Sequence, residues 1–455
     1  MILEAPMIEE KDRTEDFEEY AKQRSEGKIQ VPPTLLTDGE RRLYIRSILR
    51  EDHTFRIKNK PEEASAKFDK LASSMFKFFR GTALLYYRDY AGTDTHLPIV
   101  FTIGDVHPEN FGVMPNENNA PFFGVNDFDE AYFAPFSYDI KRGATGFYIA
   151  CKEQGFKKKA TKKVIKSFVT GYLEGLKSFA KDDRERWHQF RLDNSPKMIK
   201  KLIEKSQETR KSFLKDNINF KKEEFNTTDD IVPYSKHIED FQKVVDQYVK
   251  DNTIDISKEA KDFFKVKDVA IKKKSGTASL GLDRFWILIN GPSDKKDDNI
   301  ILEMKQARNS ALTGLTGMKK NKEKSNKAKH IVKAHNIHLA GGDKFYGYAK
   351  YEDKSYLIRE RSPFKDDIDL DDLDKNKMRK YARICGQTLA QTHARSDEDT
   401  GVSNDNAEVS ILQSVHLSLY PSDIYRFAKE ATARIKKDYE LFKKDHEHGA
   451  FDFRN

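Results

Sequence analysis

LPIVFTIGDVHPENFGVMPNENNAPFFGVNDFDEA, residues 97–131, is the stretch whose reading decides the fold. Residues 97–103 form a short apolar run rich in β-branched side chains, which predicts a buried strand ending at Gly104. The loop GDVHPENFG follows, a second strand covers 111–113, PNENNAP makes a turn, and FFGVNDFDEA predicts a further strand running into an acidic loop. Asp105 and Asn110 stand five apart in a loop that leaves a strand, and Asp127 stands in the next such loop. Their side chains are expected to converge at one end of a small sheet. Convergent oxygens suit magnesium, which takes one or two carboxylates together with substrate phosphates and water. An aspartate within hydrogen-bond reach of an acceptor hydroxyl can orient it or take its proton. A structural role for the same acids would require cations beside them, which Arg80, Lys141 and Arg142 can supply. Asn110 has the further option of satisfying its own turn.

Upstream, apolar positions Phe68, Leu71, Met75, Phe78 and Phe79 recur at three and four, predicting an amphipathic helix that ends near Arg80-Gly81. Residues 1–60 are polar and helix-compatible with a break at Pro32-Pro33, and are expected as a helical extension on the main body. Residues 61–150 then form the half that carries the acidic loops. Downstream, 151–265 is a helical block with long charged faces and a loop at 226–233. Within 266–365, KVKDVAIKKKSG, LDRFWILING and NIILEMKQA read as strands of a small antiparallel sheet, followed after a lysine-rich link by the hairpin KFYGYAKYEDKSYLIRERS. Residues 366–455 supply closing helices, one of them over 378–395.

The turn from Gly276 through Ser279 to Gly281 lies between the first two of those strands, and Lys305 lies on the third. Such a turn can bring backbone N–H groups close to phosphates, and the lysine can reach the same anions. Alone, the turn is an ordinary hairpin. Together with the acidic loops it completes a nucleotide site.

Composition bounds the rest. With 455 residues the chain is long enough for two or three lobes, and its 37% hydrophobic share with 31 Phe and 19 Tyr excludes a disordered polymer. The two cysteines, Cys151 and Cys385, sit far apart in apolar stretches, so neither a disulfide framework nor zinc spacing exists. No secretory pattern opens the sequence and no run approaches a membrane span, so the expected location is cytoplasmic, with signal-less export left open. The net charge of +8 is spread over 82 basic and 74 acidic residues, with lysine clusters at 157–166 and 319–329. These read as solvated faces, and a nucleic-acid partner is not expected.

DVHPEN at 105–110 resembles the catalytic loop of protein-kinase-like enzymes, and with Gly104 and His107 it is most similar to the aminoglycoside and choline phosphotransferase branch. VNDFDEA resembles the metal-binding Asp-Phe-Gly segment, and PFSYDIKR places Asp139 where that branch has a structural aspartate opening the next helix. FFRG, GDVHPENFG, NDFDEA, YDIKR, the Gly276 turn, EMKQA, IRERSPFK and CGQTLAQTHARS also occur in the order of a large bacterial family known as a domain of unknown function, over roughly residues 70–400. The resemblance implies an α+β, two-lobe, protein-kinase-like fold with a large helical block. It is circularly permuted, because the catalytic loop precedes the lysine lobe. It implies ATP and Mg2+ as cofactors, phosphoryl transfer to a small-molecule or protein acceptor, catalytic roles for Asp105, His107 and Asn110, and metal ligation by Asn110, Asp127 and Asp129. Gly276, Ser279, Gly281 and Lys305 would hold the nucleotide, with Arg80, Asp139, Arg142, His393 and Arg395 as further contacts or braces. Ala278 stands where kinases keep a glycine, Gln306 follows Lys305 where the family has a glutamate, and no glutamate partner for the lysine stands out. Nucleotidyl transfer, a non-catalytic scaffold and a dinuclear metallophosphoesterase built on Asp105-Val106-His107 are the alternatives.

Overall fold

The computed structural model describes residues 14–28, 31–255, 262–273, 280–293, 295–316, 326–403 and 405–454. It is an α+β chain with a large helical block, in which one antiparallel sheet stands apart from the strands that carry the acidic loops.

The larger sheet has six strands in the order Gly347–Tyr351, Lys354–Glu360, Ile300–Gln306, Arg284–Ile289, Val266–Lys272, Ile231–Pro233. The period of two in IILEMKQ sorts its side chains to opposite faces. Ile300, Leu302 and Met304 join a buried cluster with Phe241, Val244, Val245 and Tyr248 of helix Ile238–Asp251, whose three-and-four spacing presents one apolar stripe. On the other face Ile301, Trp286 and Leu288 are covered by Leu214, Ile218 and Phe225. Further along that same face, Glu303 and Lys305 replace the apolar residues.

Two sequence readings change here. The expected loop at 226–233 contains the edge strand Ile231–Pro233, paired Val232 to Ile271, with Pro233 tolerated because an edge strand need not donate on its outer side. The helix Ile238–Asp251, expected within the helical block, packs on the six-stranded sheet instead. Its apolar stripe has the same period whichever body it covers.

The single helix expected over 64–81 is two short ones, Pro61–Ala72 and Met75–Gly81, and a third, Ala83–Arg88, follows them. Ser74 breaks the run by leaving the helical region, at φ −157° and ψ 155°, and capping Lys77 N with its hydroxyl. The extension 1–60 is helical where described, and it is tied down by Arg41. That guanidinium is forked to Asp89 at 2.7 and 2.8 Å and to Asp438 at 2.9 and 2.7 Å, all three side chains being buried.

The helical block is built on helices Lys158–Asp182 and Lys375–Ala394, which cross at glycines. A Cβ on Gly386 would lie 2.0 Å from the Phe168 carbonyl oxygen, and one on Gly171 would lie 2.1 Å from that of Arg383. Backbone cannot rotate aside as a side chain can. Gly386→Ala is therefore expected to destabilise the fold by about 3 kcal/mol, the upper end of ordinary overpacking, measured by urea unfolding. The lysine cluster at 157–166 lies on the exposed face at the start of helix Lys158–Asp182, whereas most of 319–329 lies outside the described residues. No described helix is long and apolar enough to cross a membrane.

Candidate functional site

Strand Ile99–Thr102 pairs with Tyr132–Pro135 and ends in a sharp turn at Gly104. Gly104 takes φ +92°, and a Cβ there would lie 2.1 Å from the Glu130 carbonyl oxygen, so only glycine fits between the two acidic loops. The turn is braced from below by Asp139, in the first turn of helix Ser137–Glu153. Its carboxylate accepts from Ile103 N at 2.7 Å, Gly104 N at 3.0 Å and His393 Nε2 at 3.0 Å, and His393 Nδ1 lies 2.8 Å from the Tyr172 hydroxyl. Asp139 and His393 have no exposed surface, so both hold the loop and neither can touch a ligand.

Beyond the brace, Asp105 Oδ1 accepts from Arg142 Nε at 2.6 Å, and the same guanidinium donates to the Phe79 carbonyl at 3.0 Å. Arg142 is fully buried, 4.2 Å from the centre of the Phe79 ring and 4.8 Å from that of Tyr86, which fixes the direction of the aspartate. Lys141, the other cation expected here, pairs with Asp94. The Asn110 amide donates to the Asp105 carbonyl, closing the loop and leaving Oδ1 as the atom a ligand can use. His107 is only 2% exposed and is absent from the cleft wall. Burial, with Arg80 and Arg142 nearby, holds its imidazole well below the usual histidine range and therefore neutral. Its Nδ1 lies 3.2 Å from Glu109 N and its Nε2 lies 3.1 Å from Arg80 Nε, and a neutral ring can accept at one of the two. The ring expected to be catalytic is thus packed behind the loop, its Nε2 3.8 Å from Asp105 Oδ2. Arg80 lines the cleft and pairs with Glu109.

The hairpin of Phe111–Pro115 and Pro121–Val125 delivers the second acidic loop. Asp127 accepts from Asp129 N at 3.1 Å, and burial, reinforced by the Asp129 charge, raises its pKa above the usual carboxylate range. Burial alone would raise Asp129 as well, but the ammonium of Lys305 outweighs it and holds Asp129 low. Asp129 and Lys305 form an ion pair between the acidic loop and the six-stranded sheet, so the lysine's acidic partner is the residue three past Asn126 rather than a helical glutamate. A sequence reading could not pair them, because 176 positions separate the two.

Asp105, Asn110, Asp127 and Asp129 line one cleft, with Lys67 and Arg308 also on its wall. These last two were not singled out by the sequence, nor were Asp52, Arg56 and Glu130 around them. Arg308 donates to Asp52 at 3.0 Å and to Glu130 at 2.6 Å, which ties the N-terminal helices, the acidic loop and the third strand of the sheet together. Lys67 is 1% exposed, and burial followed by the charges of Arg56 and Arg308 pushes its amine well below the usual lysine range. Arg56 Nε donates to the Leu280 carbonyl at 2.7 Å, beside Gly281. Gly276 and Ser279 lie outside the described residues. Arg395 is spent on backbone: Nε donates to the Ile337 carbonyl at 2.6 Å and NH1 to those of Glu185 and Arg186 at 3.2 and 3.0 Å. It is a helix-end brace and takes no place in the cleft.

In geometry, the cleft offers Asn110 Oδ1 and the Asp127 carboxylate as oxygen ligands and a directed Asp105, and its Asp129 is paired to Lys305 of the sheet. No curated protein and no solved structure matches the chain. A family does match, over residues 59–445, which include every residue of the two acidic loops, the six-stranded sheet and the Asp139–His393 brace. The chain belongs to that family, described as an uncharacterized protein conserved in bacteria (DUF2252).

Proposed function

We propose that this chain binds ATP with Mg2+ in the cleft of Asp105, Asn110 and Asp127 and transfers the γ-phosphoryl group to a small-molecule or protein acceptor. The observation that carries the reading is the meeting of those three side chains in one cleft, whose wall includes Asp129, the ion-pair partner of Lys305 on the sheet. Phosphoryl transfer asks a protein mainly for positioning and charge neutralisation, and in protein-kinase-like enzymes the required parts are a lysine on the third strand, an aspartate and an asparagine on metal, and an aspartate at the acceptor. Lys305 lies on the third strand after 265, counting Val266–Lys272, Arg284–Ile289 and Ile300–Gln306.

The donor set fits magnesium. Asn110 presents an oxygen because its nitrogen is committed to the Asp105 carbonyl, and Asp127 carries a carboxylate that burial leaves under-compensated. A bound divalent ion would neutralise developing phosphate charge there. Asp105, fixed by Arg142, is the group that orients the acceptor hydroxyl. Lys305 departs from the protein-kinase pattern: helix Lys327–His338 follows its strand and contains no glutamate, and Asp129 takes the ion pair. In this reading the lysine exchanges Asp129 for a phosphate when nucleotide enters. The metallophosphoesterase alternative is disfavoured by His107, whose ring is packed behind the loop.

Incubating the protein with γ-labelled and, separately, α-labelled ATP tests the assignment. Label reaching protein or an added acceptor from the γ position alone is the expected result. Transfer from the α position would replace phosphoryl by nucleotidyl transfer at the same site, and magnesium-dependent binding without transfer would leave a scaffold. Calorimetry showing no magnesium-dependent ATP binding would overturn the reading as a whole.

A further inference from the structure

A second group of acids lies outside the cleft and shares none of its lining residues. Asp183 follows the end of helix Lys158–Asp182, and Glu185 sits in the short turn Arg184–Arg186. Asp397 and Asp399 come from the loop after helix Lys375–Ala394, and Glu408 from the first turn of helix Ala407–Ser414. One carboxylate oxygen from each of Asp183, Glu185 and Glu408 lies within 4.8 Å of the other two, and Glu185, Asp397 and Asp399 form a second triad on the same criterion.

Clusters of acids on a surface are common, but this one is buried at its centre. Glu408 is 0% exposed, Glu185 1% and Asp397 2%. Neither carboxylate oxygen of Glu408 has a hydrogen-bond partner, and Glu185 Oε2 has none. Among the described residues no cation pairs with Asp183, Glu185, Asp397 or Glu408, although Arg186 reaches Asp399 at 3.1 Å. Arg395 lies beside the group, with Nε and NH1 donating to backbone carbonyls, and its charge acts on Glu185 and Asp397 without forming an ion pair with either. An unpaired buried carboxylate costs several kcal/mol, and several sharing one site cost more. Burial, with neighbouring acids adding to it, pushes Glu185 up to about 7 and Asp397 up to about 6.

We infer that Asp183, Glu185 and Glu408 form a calcium site that staples the start of helix Ala407–Ser414 to the end of helix Lys158–Asp182, with Asp397 and Asp399 beside it on the Glu185 side. Two oxygens on opposite sides of a calcium ion, each at about 2.4 Å, stand about 4.8 Å apart, and calcium accepts six to eight such oxygens in irregular geometry. Magnesium demands a tighter octahedron and keeps its waters, so calcium is the better fit. Two bound charges cancel the excess that Glu408 and Glu185 leave inside the fold. The site stands whether or not the cleft transfers phosphate.

Calorimetric titration of the full chain with CaCl2 and with MgCl2, in the absence of nucleotide, is the test, with melting temperature read alongside. The wild type is expected to bind one Ca2+ at this site at least about ten-fold more tightly than Mg2+ and to melt higher with calcium. Glu408→Gln, which keeps the shape and removes the charge, should lose at least about ten-fold in calcium affinity and most of the calcium-dependent shift in melting. Its calcium-free melting temperature should equal or exceed that of the wild type, which shows that it folds. Asp127→Ala should bind calcium as the wild type does. Absence of calcium binding to the wild type, tighter binding of Mg2+ than Ca2+, or unchanged calcium affinity in Glu408→Gln would each overturn the assignment.

Discussion

In the Asp127→Ala protein, magnesium-dependent transfer from ATP is expected to fall by about 10³-fold or more, the scale on which loss of one charge-neutralising group acts in phosphoryl transfer, while the fold persists. Both halves of that expectation come from the same contact set. Asp127 takes one hydrogen bond, from Asp129 N, and Lys305 is paired with Asp129 rather than with Asp127. Removing the carboxylate therefore leaves no cation stranded. It also removes a charge that burial disfavours, so the melting temperature should hold level or rise. Transfer assays on the purified variant, with thermal unfolding as the control, separate the two. Unchanged transfer would remove Asp127 from the site, and a collapse in melting temperature would make it a structural acid.

Asp139→Ala is expected to do the reverse, losing about 3–5 kcal/mol of folding stability as well as activity. This carboxylate accepts from Ile103 N, Gly104 N and His393 Nε2 in a place with no exposed surface. Alanine leaves those three donors without an acceptor and leaves a void beneath the turn that aims Asp105. Asp139→Asn keeps an acceptor oxygen for the backbone and should lose less. Urea unfolding of the pair measures the difference. If both variants unfold with the wild type, the brace carries no load and the loop is held by Tyr87, whose hydroxyl donates to the Gly104 carbonyl, and by its own strand.

The two experiments test a division of roles that the sequence offered only through the resemblance, with Asp127 a metal ligand and Asp139 a structural aspartate. Asp127 and Asp139 are both acids near a strand end in quoted motifs, and nothing in their spacing tells a ligand from a brace. Burial does. The same holds for His107 and His393, both expected near the chemistry and both enclosed by the protein, and for Arg142, which was a second-rank expectation and donates to Asp105.

What the sequence determined by itself are features set by local rules. Runs of β-branched residues marked the strands at 99–102 and 300–306, Gly104 marked a turn that admits no Cβ, and the five-residue spacing of Asp105 and Asn110 closed their loop through a hydrogen bond between neighbours in the chain. The family was legible for the same reason, since its motifs are short and their order is linear. Tertiary structure alone decided which charges meet. Lys305 finds Asp129, Arg308 joins Asp52 to Glu130, Lys67 enters the cleft from a helix read only as amphipathic, and Glu408 is buried beside Glu185 without a partner. A charge carries no periodicity and acts through space over several ångströms, so its partner is fixed by how the lobes pack and not by its place in the chain.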